Sequence, residues 1–108
     1  MRQKRQLLRG MLSLLILSEL IYKPNHGYAL EMDINKMIGE KLPRGTVYVI
    51  LKYLEKQGCI KSEVHEEKRK ITVYTITESG REMLKNHIEL LKKVNRLSEK
   101  IIKNAEKQ

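Results

Sequence analysis

The stretch "RGTVYVILKYLEKQG", residues 44–58, decides the reading of this chain. Val47, Ile50, Leu51 and Leu54 recur at helical intervals, so they predict an amphipathic helix with those four residues on one arc. Directly opposite lie Val49, Lys52 and Lys56, with Gly45, Thr46 and Tyr53 at the sides. A solvated helix back gains nothing from a valine and a tyrosine among lysines. A helix that enters the major groove of DNA does gain. Lysines neutralise phosphates, hydroxyls reach base edges, and a small apolar side chain touches thymine methyls. Gly45 near the helix start permits close backbone approach, and the helix N-terminus attracts phosphate. The alternative is packing on a neighbouring helix or simple tolerance of water, since single exposed apolar residues are common.

Two breaker clusters precede this helix, "KPNHGY" (23–28) and "EKLPRG" (40–45). Between them a second helix is expected from Tyr28 to Ile38, with Ala29, Leu30, Met32, Met37 and Ile38 as its apolar positions and Gly39 as its C-terminal stop. The opening residues predict a first helix from Gln3 to Ile21, whose narrow polar strip runs through Arg5, Arg9 and Ser13. A helix so nearly apolar all round needs cover on two sides. A second subunit is the economical source of the second cover.

After Gly58 come "CIKSEV", the charged loop "HEEKRK" and "ITVYTI", which together predict a β-hairpin. Its basic tip, Lys68, Arg69 and Lys70, suits phosphates or an adjacent minor groove, although His65, Glu66 and Glu67 blunt the field. Thr77 is a good N-cap for a fourth helix from Glu78 to about Asn104, yet Gly80 stands where a capping box would place Glu. On that helix His87, Leu90, Val94, Leu97 and Ile101 form a heptad seam. Leu84, Ile88, Leu91 and Ile102 make a second stripe. One stripe is expected to pack on the domain's own core while the other meets a partner helix.

The expected fold is therefore mainly α with a small β-hairpin. Residues 1–76 read as a winged helix-turn-helix and residues 77–108 as a long C-terminal dimerisation helix, joined in one compact unit.

Composition agrees. The 108 residues are 41% hydrophobic and suffice for one core, built without Phe or Trp. A net charge of +9 points to nucleic acid or an anionic surface. The run "LLRGMLSLLILSELI" (7–21) is broken by Arg9, Ser13, Ser18 and Glu19, so no membrane span is expected and the reading is cytoplasmic. Cys59 is the only cysteine, which excludes an internal disulfide. It reads as a buried apolar residue, with a redox-sensing thiol as the alternative.

No spacing of acids suggests a catalytic dyad, and His26, His65 and His87 stand far apart, so neither an enzyme nor a metal site or cofactor is expected. His26 reads as a capping or phosphate-contact residue. A non-specific, chromatin-like DNA binder on the same scaffold is the serious rival. Much of the charge, including Lys92, Lys93, Arg96, Lys100, Lys103 and Lys107, lies outside the helix-turn-helix.

The motifs "HGYALEM", "RGTVYVILKYLEKQGCI" and "YTITESGRE", with the opening "LLRGMLSLLIL", resemble in order and spacing the PadR family of transcriptional regulators, over residues 7 to about 85. The resemblance implies a winged-helix homodimer of the small, short C-terminal-helix kind. It implies a repressor bound to an operator and released by a small-molecule effector, often aromatic or cationic. It also implies that the helix holding Thr46, Tyr48, Val49 and Lys52 reads double-stranded DNA, with Tyr28 near the backbone. Taken together, Tyr28, Arg44, Thr46, Tyr48, Val49, Lys52, Tyr53, Lys68, Arg69 and Lys70 are the expected DNA contacts. Val49 stands where the family often has Pro, and Pro43-Arg44 where it often has Ser-Pro. A basic residue is common at the place of Tyr53, and Ile71-Thr72-Val73-Tyr74 replaces a familiar Arg-Lys-Tyr-Tyr. These differences bear on the operator sequence rather than on the mode of binding. An effector pocket is expected between helices one and four of the dimer.

Overall fold

A computed structural model describes residues 2–108, with side chains described from residue 10 onward. The chain forms α1 (Arg2–Tyr22), β1 (Asn25–His26), α2 (Gly27–Ile38), α3 (Thr46–Lys56), β2 (Ile60–Glu66), β3 (Lys70–Ile76) and α4 (Glu78–Glu106). This is the winged-helix order expected from the sequence, with one added element. The short strand β1 pairs antiparallel with β3, Asn25 opposite Tyr74 and His26 opposite Val73, so the sheet has three strands in the order β1-β3-β2. Pairing occupies the edge of β3 that a two-stranded hairpin would leave open.

One core joins all four helices to the root of the wing. Leu12, Ile16, Leu17 and Leu20 of α1 meet Leu30 and Ile34 of α2, Val47, Leu51 and Leu54 of α3, and Cys59, Ile60 and Ile76 of the hairpin. The arc expected for α3 is correct, with Ile50 at its half-buried margin. The arc expected for α2 needs correction. Met32 and Met37 are 53% and 48% exposed, and Ile34, one turn from both Leu30 and Ile38, is the buried residue. Cys59 is buried and unpaired, as an apolar core member.

In the hairpin the strands run further than expected. Glu66 pairs with Lys70, which leaves a three-residue loop, 67–69, in place of the six-residue loop 65–70. On the α1 strip, Arg5 and Arg9 lie outside the described side chains. Ser13 is half-buried, while Met11 and Ile21 are exposed, so α1 is not covered all round by its own chain.

α4 leaves the body at the wing root. Thr77 is its N-cap, its Oγ1 accepting from the Gly80 N–H at 3.2 Å while donating to the Gly58 carbonyl at 2.6 Å. The structure explains the absent capping-box acid. A Cβ on Gly80 would collide with the backbone carbonyl of Cys59, so this first turn of α4 lies directly on the β2 root. Of the second stripe, Leu84 packs on the core, but Ile88 and Ile102 are exposed. The long helix gives the molecule extents of 58 × 29 × 21 Å.

Candidate nucleic-acid interface

α3 turns its buried arc inward and leaves the opposite surface open. Val49 is 63% exposed and Tyr53 53% exposed, with Lys52 and Lys56 exposed beside them. The helix begins at Gly45, whose φ of 86° lies in the left-handed region, and no side chain caps it. Its positive end is thus open to an anion. Arg44 is exposed just before that end, and Thr46 is half-buried within it.

Beyond its packing in the core, three contacts bear on the pose of α3. The first joins Tyr48 to Gly27, the opening residue of α2, where an added Cβ would stand 2.5 Å from Tyr48 Cε1. Tyr48 is therefore a packing residue as well as an exposed one. Tyr28, the next residue of α2, is exposed on the surface. The second contact runs through Asn35. Its Oδ1 accepts from the Leu42 N–H at 3.0 Å, and its backbone carbonyl accepts from the N–H groups of Gly39 and Glu40 at 2.9 and 3.2 Å. One residue of α2 thus ties down Gly39, Glu40 and Leu42, the first part of the connection to α3. The third is a 2.6 Å hydrogen bond in which Ser62 Oγ of β2 donates to Glu55 Oε2 of α3. Gly27, Asn35 and Glu55 carry no sequence signal for these roles. Only the Gly-Tyr pair of "HGYALEM" marks the place of the first.

His26 acts as the capping residue expected of it. Its Nδ1 accepts from the Ala29 N–H at 3.3 Å, which leaves Nε2 to carry the proton of the neutral ring. At the far end of the hairpin Lys68, Arg69 and Lys70 are exposed, and Lys70 lies 3.9 Å from Glu66. That pair blunts the tip's charge. Behind α3, Tyr74 has its pKa raised, first by burial, then by the carboxylate of Glu55 and by Tyr48. It stays a neutral hydroxyl.

On α4 the expected seam is open. Leu90, Val94, Leu97 and Ile101 are exposed, Ile101 at 66%. His87 is half-buried, and its Nδ1 lies 2.8 Å from the Met83 carbonyl, to which it donates in that tautomer. Among the described residues no group of His, Cys, Asp or Glu could hold a metal ion. No described helix is long and apolar enough to cross a membrane.

A basic-backed helix behind a two-helix turn, beside a three-stranded wing, defines the class as winged helix-turn-helix. Residues 16–86 match the Transcriptional regulator PadR-like family, and the chain belongs to that family. Solved structures agree. A transcriptional regulator from Thermoplasma acidophilum is 31% identical with a TM-score of 0.84, over 91% of this chain and 96% of that one. One from Clostridium thermocellum is 31% identical with a TM-score of 0.78, over 88% and 96%. A PadR family transcriptional regulator from Eggerthella lenta is 26% identical with a TM-score of 0.79, over 94% and 89%. A search of curated proteins finds no match. Family and neighbours are transcriptional regulators, not enzymes.

Proposed function

We propose that this PadR-family regulator is a homodimeric repressor that reads an operator through α3. The single observation that carries the reading is the exposed surface of α3, where Val49 and Tyr53 stand exposed beside Lys52 and Lys56. In this account Val49 touches a thymine methyl, Thr46 and Tyr53 flank it, and Lys52 neutralises a phosphate. Arg44, Tyr28 and Tyr48 line the approach of the backbone. Lys68, Arg69 and Lys70 take phosphates at the wing tip. DNA as partner puts the protein's work in the cytosol.

The dimer forms through α4. Leu90, Val94, Leu97 and Ile101 make an apolar row with His87 at its inner end, and such a row left in water favours association. Exposed Met11 and Ile21 on α1 supply further apolar surface for the second copy. A small-molecule effector that releases the operator would enter between α1 and α4 of the dimer.

Lys52→Ala tests the phosphate contact. It should weaken binding to every sequence and reduce the dependence of log K on log salt by about one unit. An unchanged slope removes Lys52 from the contact set. Leu97→Glu tests the seam, because a charge there should leave the protein monomeric in sedimentation. A variant still dimeric at micromolar concentration would show that the seam lies elsewhere.

A further inference from the structure

We propose that one face of α4 is a second DNA-contacting surface, which holds phosphates without reading bases. Lys93, Arg96, Lys100, Lys103 and Lys107 follow one another at alternating intervals of three and four residues, so they form one stripe along the helix. All are exposed. None has a carboxylate partner among the described residues, where the ion pair of α4 joins Lys92 to Glu89 at 3.9 Å. Glu89 is the one acid on the same arc, while Glu99 and Glu106 fall on the side away from the seam. A merely solvated helix face mixes its signs. From Lys93 onward the stripe itself carries no acid, although Glu89 opens it and Glu99 and Glu106 border it, three or four residues from Arg96 and Lys103.

A second copy packed on the seam leaves the stripe unneutralised. Lys93 and Lys100 directly precede the seam residues Val94 and Ile101, so they and Lys107 flank the contact on one side. The other flank is Leu91, Ser98 and Ala105, without an acid. In a parallel pair the lysines would face that uncharged flank of the second copy, and in an antiparallel pair they would face its lysines. Either way the second copy supplies no acid, and the cations stay available to an outside polyanion.

Duplex DNA fits that role. The stripe from Lys93 to Lys107 spans about 21 Å at a rise of ~1.5 Å per residue. A duplex strand offers a phosphate every ~3.4 Å, so about six phosphates lie along it. The stripe is also separate from the reading surface. α4 starts at the wing root, where the Thr77 N–H donates to the Cys59 carbonyl at 3.0 Å, whereas Lys68–Lys70 sit at the opposite end of the hairpin. It therefore engages DNA flanking the operator or a second segment. The choice of DNA as the polyanion rests on the DNA-binding reading; the unneutralised charge does not.

The test is a variant of the full chain carrying Lys93→Gln, Arg96→Gln, Lys100→Gln and Lys103→Gln. All four positions are exposed, and circular dichroism and sedimentation check that helix and oligomer persist. Binding to a random-sequence duplex of about 45 base pairs is measured across salt, and the slope should fall by roughly three to four, near 0.9 for each cation lost. Affinity at low salt should fall more than tenfold. A loss confined to that duplex and absent on one of about 15 base pairs marks flanking contact, and a loss on both marks a second segment. An unchanged slope leaves the stripe to an acidic protein surface and overturns the proposal. The two readings fail separately. Wild-type protein that binds operator and random DNA equally sinks the operator reading and leaves the stripe's share of the slope standing.

Discussion

Tyr48 of α3 lies over Gly27 at the start of α2, so closely that a single added methyl on Gly27 would meet the ring at 2.5 Å. The contact couples the two helices of the helix-turn-helix through a side chain that is itself part of the outer surface. Because the colliding atoms are at the far end of a partly exposed ring, Gly27→Ala should swing the ring rather than break the fold. Stability should change by less than about 1 kcal/mol, within the range of surface substitutions and helix glycine replacements. Affinity for cognate DNA should fall about tenfold, roughly 1.4 kcal/mol. In a Tyr48→Ala background the same change should have no further effect on binding. Equal losses in both backgrounds would show that Gly27 acts without Tyr48.

Gly80 makes the opposite prediction. There the obstacle is the Cys59 backbone carbonyl, with Ile76 Cγ1 close behind, and neither can swing away. Gly80→Ala should cost about 1–3 kcal/mol or more by overpacking, although alanine ordinarily favours a helix. The denaturant midpoint reports it. A stabilised variant would mean that α4 does not start against β2.

Asn35 should act through its acceptor. Asn35→Ala leaves the Leu42 N–H without its partner, at a cost of about 1–3 kcal/mol. Asn35→Asp keeps an acceptor at Oδ1 and should restore most of the stability. Amide exchange at residues 40–45 should quicken in the first variant and not in the second. Faster exchange in both would assign the effect to charge or packing instead.

Tyr74 sets an alkaline limit. Its folded-state pKa is raised, by burial first and then by Glu55 and Tyr48, so the unfolded chain ionises at lower pH than the folded one. The contribution is fully present below the unfolded tyrosine pKa and is lost as pH rises through the folded value. Tyr74→Phe should therefore flatten the fall of stability above pH ~10. An unaltered alkaline arm would assign that fall to other groups that titrate there.

Much of this architecture was legible because it depends on local periodicity. The buried arc of α3, the two strands of the hairpin and the length of α4 each follow from patterns within a single element. The sequence predicts Met32 and Met37 on the apolar arc of α2 because hydrophobicity alone does not choose between residues on adjoining turns. Position does, and Ile34 stands one turn from both Leu30 and Ile38. The strand β1 is too short to alternate and exists because β3 offers it an edge. The sequence predicts too long a wing loop because its charges imitate a loop, although Glu66 and Lys70 still pair. The contacts of Gly27, Asn35 and Glu55 join distant elements, and no local pattern encodes them.

The central claim is sequence-specific reading of DNA by α3. The most direct measurement compares binding of the purified protein to DNA upstream of its own gene and to random DNA, at two salt concentrations, with Val49→Ser beside the wild type. The account predicts discrimination of ~10³-fold or more that persists at the higher salt, and a Val49→Ser variant that loses preference more than affinity. Equal, steeply salt-sensitive binding to both DNAs, unchanged in the variant and repeated across fragments of the genome, would contradict it.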